Sequence, residues 1–196
     1  RYPLHRQRSL LGCLIFAMFS VLWTSLAFLL SSEPWSYSDA TIGLFGLAGA
    51  MGALSARHAG VLTDRGHGAR LTVLGVVALL VSWGLLGLGG YSLIALVAGI
   101  VLLDLALQAV HITNMNMIFN LDEAARNRLN SGYMFLYFVG GALGSLGSAA
   151  AYQHYGWLGV CLLGGGLGVL GVGYGVWIHV GPTHKAHSGV AKEEAR

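Results

Sequence analysis

The chain has 196 residues, 55% of them hydrophobic and only 10% charged, with a mean hydropathy of +0.66. Soluble domains carry about a quarter charged residues, so a water-soluble globule is excluded, and the wealth of Leu, Val and Ile beside 30 glycines excludes low-complexity disorder. The net charge of +3 does not point to nucleic acid, because the basic residues sit at the edges of apolar runs, where they report membrane topology instead.

In chain order the apolar runs cover residues 10–30, 41–62, 71–88, 93–119, 132–151 and 157–180. A bilayer core of about 30 Å needs about 20 helical residues, and each run is near or above that length. Open strands leave backbone groups unpaired in lipid, and none of the runs alternates as barrel strands do. The expectation is an all-α integral membrane protein with six transmembrane helices in residues 10–180, a cytoplasmic arm in 1–9 and a cytoplasmic polar tail in 181–196. The first run is too long for a signal peptide, and no small-residue cleavage site follows it. Cys13 and Cys161 lie inside apolar runs and read as small hydrophobes.

Arg1, Arg6 and Arg8 precede the first run, Arg65 and Arg70 follow the second, Arg126 and Arg128 follow the fourth, and Lys185, Lys192 and Arg196 follow the sixth. The other three connections carry no Lys or Arg. This alternation predicts a multi-pass protein with both termini in the cytoplasm. Arg57 is near enough to a cytoplasmic helix end to snorkel there. Trp35, Tyr37, Tyr91, Tyr152, Tyr155 and Trp157 mark the outer interface. Ser38 or Asp39 is expected to cap the second helix, and Asn130 or Ser131 the fifth. Small-residue rows (Gly43, Gly46, Gly49 and Gly52; Gly140, Gly144 and Ser148; Gly164, Gly168, Gly171 and Gly175) read as faces for close helix packing.

The fourth run holds Asp104, Gln108, His111, Asn114 and Asn116. Asp104, Gln108 and His111 follow i, i+4, i+7 spacing and share one face. An ionised carboxylate near mid-bilayer costs roughly 2.5–3.5 kcal/mol, so Asp104 must face water, find a partner or stay protonated. Two readings stay open: a substrate or proton pathway through Asp104, Gln108, His111 and Asn114, or a buried hydrogen-bond row that fixes this helix.

Between the second and third runs lies GVLTDRGHGAR, residues 60–70. Gly60, Leu62, Asp64, Arg65 and Arg70 fall close to the pattern G-x-L-x-D-R-x-G-R/K, with His67 where the second glycine stands. From Leu103 the chain reads LDLALQAVHITNMNMIFNLDEAARNRLNSGYMFLYFVGGALG, with an LD-x4-Q opening at Asp104 and Gln108. An R-x-R-x-N loop follows at Arg126, Arg128 and Asn130, then an F-x-GG-A-x-G run. Together these stretches resemble the major facilitator superfamily, in particular the C-terminal six-helix half of bacterial twelve-helix efflux-type members.

The resemblance implies one half of a secondary transporter in the cell inner membrane, without a cofactor. It implies a missing N-terminal six-helix half as partner, and a small organic solute moved by alternating access with coupling to protons. It gives Gly60, Asp64, Arg65 and Arg70 the role of a gating loop that latches cytoplasmic helix ends. A start at a basic arm without an initiator methionine agrees with such a fragment.

No phosphate-binding glycine loop with a following lysine occurs, and no metal-ligand spacing stands out; His184 and His187 lie in the polar tail. Ser55 near His58 is the one suggestive nucleophile–base spacing, so an enzyme is not expected. The alternatives are a non-transporting membrane helper or assembly protein docking partners through its glycine faces, and a membrane enzyme using Asp104 and His111.

Overall fold

The computed structural model describes residues 2–50 and 53–180. Arg1, Gly52 and the expected tail with His184, Lys185, His187, Lys192 and Arg196 lie outside these residues. Every regular element among the described residues is helical: α1 (Pro3–Ser31), α2 (Asp39–Ala50), α3 (Ala53–Leu62), α4 (Gly68–Gly87), α5 (Leu93–Phe119) and α6 (Arg126–Val180). A π turn (Thr63–His67) joins α3 to α4, and a 3-10 turn (Leu88–Gly90) follows α4. Four stretches are long and apolar enough to cross a membrane: Pro3–Ser31, Ser55–Gly90, Leu93–Phe119 and Arg126–His179.

Two glycines break these stretches. Gly66 takes φ 84° and ψ 6°, and Gly156 takes φ 60° and ψ −153°, regions that side chains other than glycine's rarely enter. At Gly156 the chain folds back. Leu163 lies against Gly147, 3.2 Å from where a Cβ would stand. A continuous helix would hold residues 16 apart at about 24 Å. Helix α6 therefore has two arms, residues 126–155 and 157–180.

The arms pack in opposite senses. Gly140 lies on the Cys13 carbonyl, Gly144 on the Ala17 backbone, and the Ser148 hydroxyl donates to the Val21 carbonyl at 2.6 Å. Both sides advance in steps of four, so α1 and the first arm run parallel at backbone contact, as a small-residue row permits. Thr24–Ser145 (2.8 Å) and Ser25–Ser148 (2.6 Å) hydroxyl pairs continue the seam. Helix α4 is antiparallel to α5, with Gly75 on Val110 and Leu86 on Gly99, and antiparallel to the second arm, with Val76 near Gly175 and Trp83 on Gly164. Helix α3 runs parallel to α5: the Ser55 hydroxyl donates to the Leu105 carbonyl at 2.9 Å, and Gly60 lies beside Asn116.

Three expectations change. Residues 3–9 are not a separate arm but the first two turns of α1, with Pro3 at the start, where a missing N–H costs nothing. Helix α6 begins at Arg126, before Asn130 and Ser131; the turn into it is held by Asp122, whose Oδ1 accepts the Ala124 and Ala125 amides at 2.9 and 3.2 Å. Gly43 and Gly46 face nothing within 4 Å, so of that row Gly49 alone packs among the described residues. Ser38 caps α2 weakly, accepting the Thr41 amide at 3.4 Å.

Candidate functional site

Helix α5 is about 40 Å long at 1.5 Å per residue, and Ser92 caps its start by accepting the Ala95 amide at 3.3 Å. Asp104 sits near its middle and is 3% exposed. Its Oδ2 stands 3.0 Å from where a Cβ on Gly49 would be, and the Trp23 ring crowds the same point at 2.6 Å. Both Asp104 Oδ2 and Trp23 Nε1 are buried without a hydrogen bond. No Lys, Arg or His among the described residues pairs with this carboxylate; the one ion pair there is Arg126–Glu123.

Along the same face, Gln108 is half-buried and His111 turns toward the first arm. His111 Nδ1 lies 3.0 Å from the Tyr133 hydroxyl, and its ring is 4.8 Å from that of Tyr137. Asn114 is rotated away and joins a different group. Its Oδ1 accepts from Arg8 Nη1 at 3.2 Å, and the same nitrogen donates to Thr72 Oγ1 at 2.6 Å. Arg8 is 2% exposed, although its position in the sequence suggested a solvated arm. Thus three of the four pathway residues line one side of α5, whereas Asn114 ties α5 to α1.

A row of aromatic rings runs beside this face. Phe16, Phe19 and Trp23 recur at i, i+3, i+7 on α1. Ring centroids are 6.0 Å apart for Trp23–Phe19, 5.4 Å for Phe19–Phe16 and 4.0 Å for Phe16–Tyr137. The row thus links the surroundings of Asp104 to those of His111. Sequence reading missed these residues and Arg8, although the i, i+3, i+7 recurrence was a visible signal.

The two basic loops gather at one end of the bundle. Gly66 takes a left-handed turn, and Gly68 fits tightly, a Cβ there meeting Thr63 at 3.1 Å and Met117 at 3.3 Å. Asp64 Oδ1 accepts from Asn116 Nδ2 at 3.5 Å, a long bond, while Arg65, His67 and Arg70 are exposed. Arg126 stands 5.6 Å over the Phe119 ring and 3.9 Å from Glu123. Asn130 Oδ1 is buried without a partner. Asp122 is the pivot of its loop: the Tyr2 hydroxyl donates to its Oδ2 at 2.8 Å, and Arg128 adds an attractive charge. The Tyr2 bond first, with the Ala125 amide, holds this carboxyl below its ordinary value of 3.8. Beside it, His5 Nε2 meets the Leu129 carbonyl at 2.8 Å.

Residues 6–196 match the sequence model of the Major Facilitator Superfamily. Over 159 residues the chain is 54% identical to the "Uncharacterized transporter YgaY" of Escherichia coli, covering 81% of the chain and 40% of that protein. It is 37% identical to the "Probable transporter SCO4007" of Streptomyces coelicolor, covering 80% of the chain and 36% of the relative. A transporter of Buchnera aphidicola is 23% identical over 162 residues. The chain therefore spans about two-fifths of the length of these relatives.

Proposed function

The chain belongs to the Major Facilitator Superfamily, and from that premise we propose that it is the C-terminal six-helix half of a secondary transporter. Membership makes it a multi-pass membrane protein of a transporter family, and points to transport rather than to chemistry. In this reading α2 with α3, and each arm of α6, count as single passes, a central linker leads into α1 and residues 181–196 form a tail. The end with the basic loops faces the cytoplasm, and a missing six-helix half completes a central site. The parent sits in the inner membrane and exports a small organic solute in exchange for protons.

The observation that carries this reading is Asp104. Of the eight acidic residues, it alone lies deep inside an apolar run, and its carboxylate is buried with an oxygen that has no partner. An acid in such a place is retained for function more often than for packing. Gln108 and His111 extend its face, and Asn114 braces the helix. Gly60, Asp64, Arg65 and Arg70 form the gating loop, with Arg126, Arg128 and Asn130 in the loop beside it.

The test is transport by the full-length parent in vesicles. Asp104→Asn and Asp104→Ala should each slow transport about tenfold or more, the factor that about 1.4 kcal/mol represents. Wild-type rates in both, with unchanged pH dependence, would overturn the assignment. Of the glycine faces that an assembly protein would use, the rows Gly140–Gly144 and Gly164–Gly168 are filled from within the chain, whereas Gly43 and Gly46 stay open.

A further inference from the structure

A carboxylate inside an apolar run calls for an opposite charge. Among the described residues none is offered to Asp104. Its Oδ2 is buried without a hydrogen bond, and the one ion pair, Arg126–Glu123, lies elsewhere. His111, two turns further along α5, turns its Nδ1 to the Tyr133 hydroxyl, and Arg8 turns its Nη1 to Thr72 and Asn114. The charge of Asp104 is left for a group that these side chains do not supply.

What stands beside the carboxylate is aromatic. The Trp23 ring edge and Asp104 Oδ2 lie 2.6 Å and 3.0 Å from the same point, the place of a Cβ on Gly49, so they are neighbours. From Trp23 the rings pass through Phe19 to Phe16, where the row branches. Tyr137 stacks on Phe16, and Phe138 meets it edge-on at 5.7 Å and 82°. Trp23, Phe19 and Phe16 are half-buried and Phe138 is 58% exposed, so the row runs from the surface of the described chain inward to the acid.

Aromatic faces are negative and attract cations, most strongly where water is kept out. A carboxylate at the end of such a row adds a full opposite charge. Phe16 and Phe19 offer no hydrogen bond, so a solute rich in hydroxyls would lose its water there without replacement. An anion would be repelled by the ring faces and by Asp104 alike. A neutral apolar molecule would use the rings but leave the acid unpaired. We infer that Asp104 and the ring row bind a monovalent organic cation with an apolar body, its charge at Asp104 and its body along Trp23, Phe19 and Phe16. This rests on the transporter reading and gives that site its class of substrate.

The test is equilibrium dialysis of the purified full-length parent against tetraphenylphosphonium and against tetraphenylborate, which has the same shape and the opposite charge. Micelles without protein set the background. The phosphonium should bind saturably, one per chain, at least about tenfold tighter than the borate. Asp104→Asn, which keeps the size and removes the charge, should weaken phosphonium binding about tenfold or more. Phe19→Leu, which keeps apolar bulk and removes the ring face, should weaken it about threefold. Glu33→Gln, at an exposed position beyond α1, should leave it unchanged. No phosphonium binding, equal binding of the two ions, or an affinity that ignores Asp104→Asn or Phe19→Leu overturns the assignment. The comparison of the two ions uses the unaltered protein, so it stands even where a variant fails to fold. Transport is not measured, so a parent that transports but ignores the phosphonium would lose the cation class and keep the transporter reading.

Discussion

At the scale of single residues, the positions that matter most are those whose charge is least free. Arg8 and Asp122 look alike in a charge map, as polar residues beside apolar runs, yet one is enclosed and the other is a half-buried pivot. Asp122 gives a direct check on the loop. With its folded pKa depressed, the stabilisation it contributes is present above the ordinary carboxyl pKa of 3.8 and is lost as pH falls through the lower folded value. Removing the hydroxyl with Tyr2→Phe should move the Asp122 midpoint up toward 3.8 in a carbon-13 carboxyl titration, and an unmoved midpoint would show that the amides alone hold it. Asp104 was legible from sequence because a carboxylate inside an apolar run is costly wherever it points. Arg8 was not, because an arginine two residues before such a run is ordinarily solvated, and its burial depends on Thr72 and Asn114, 64 and 106 residues away.

At the scale of elements, the seam between α1 and the first arm of α6 bears the closest approach. Gly140→Val or Gly144→Val would drive a side chain into the backbone of α1 and should cost about 3 kcal/mol or more. Gly43→Ala meets nothing within 4 Å and should stay within about 0.5 kcal/mol of wild type. Reversible unfolding of the purified protein in mixed detergent compares them, and equal stabilities would refute the seam. The sequence row at 140, 144 and 148 foretold this contact, while the similar row at 43 and 46 did not produce one. Small-residue spacing says only that a close neighbour is tolerated; the neighbour comes from topology. Helix limits were less legible for the same kind of reason. Residues 3–9 continue α1 because its first turns find partners, and α6 starts at Arg126 because Asp122, not Asn130 or Ser131, gathers the amides that open it.

At the scale of the whole molecule, composition and charge reached furthest, since lipid demands long apolar helices and basic residues collect on one side. The parallel and antiparallel contacts bring Tyr2, Asp64, Arg70 and Asp122 toward one end of the bundle and Tyr91 and Gly156 toward the other. In intact cells, a membrane-impermeant maleimide should therefore label Tyr91→Cys but reach Asp64→Cys only after lysis; labelling of both from outside would refute the orientation. The glycine loop was legible as a turn, with Gly66 in the strained position, but the helix end assigned to Asp64 by resemblance is not among the described residues, where Asn116 is its partner. The pairing of α1 with residues 126–155 also has a meaning in time. Its hydrogen bonds join residues 121 to 127 positions apart. At a synthesis rate of about 5–20 residues per second, α1 waits roughly 6–25 s in the bilayer before its parallel partner exists. Helix α1 thus takes its closest contact from a helix made more than a hundred residues after it.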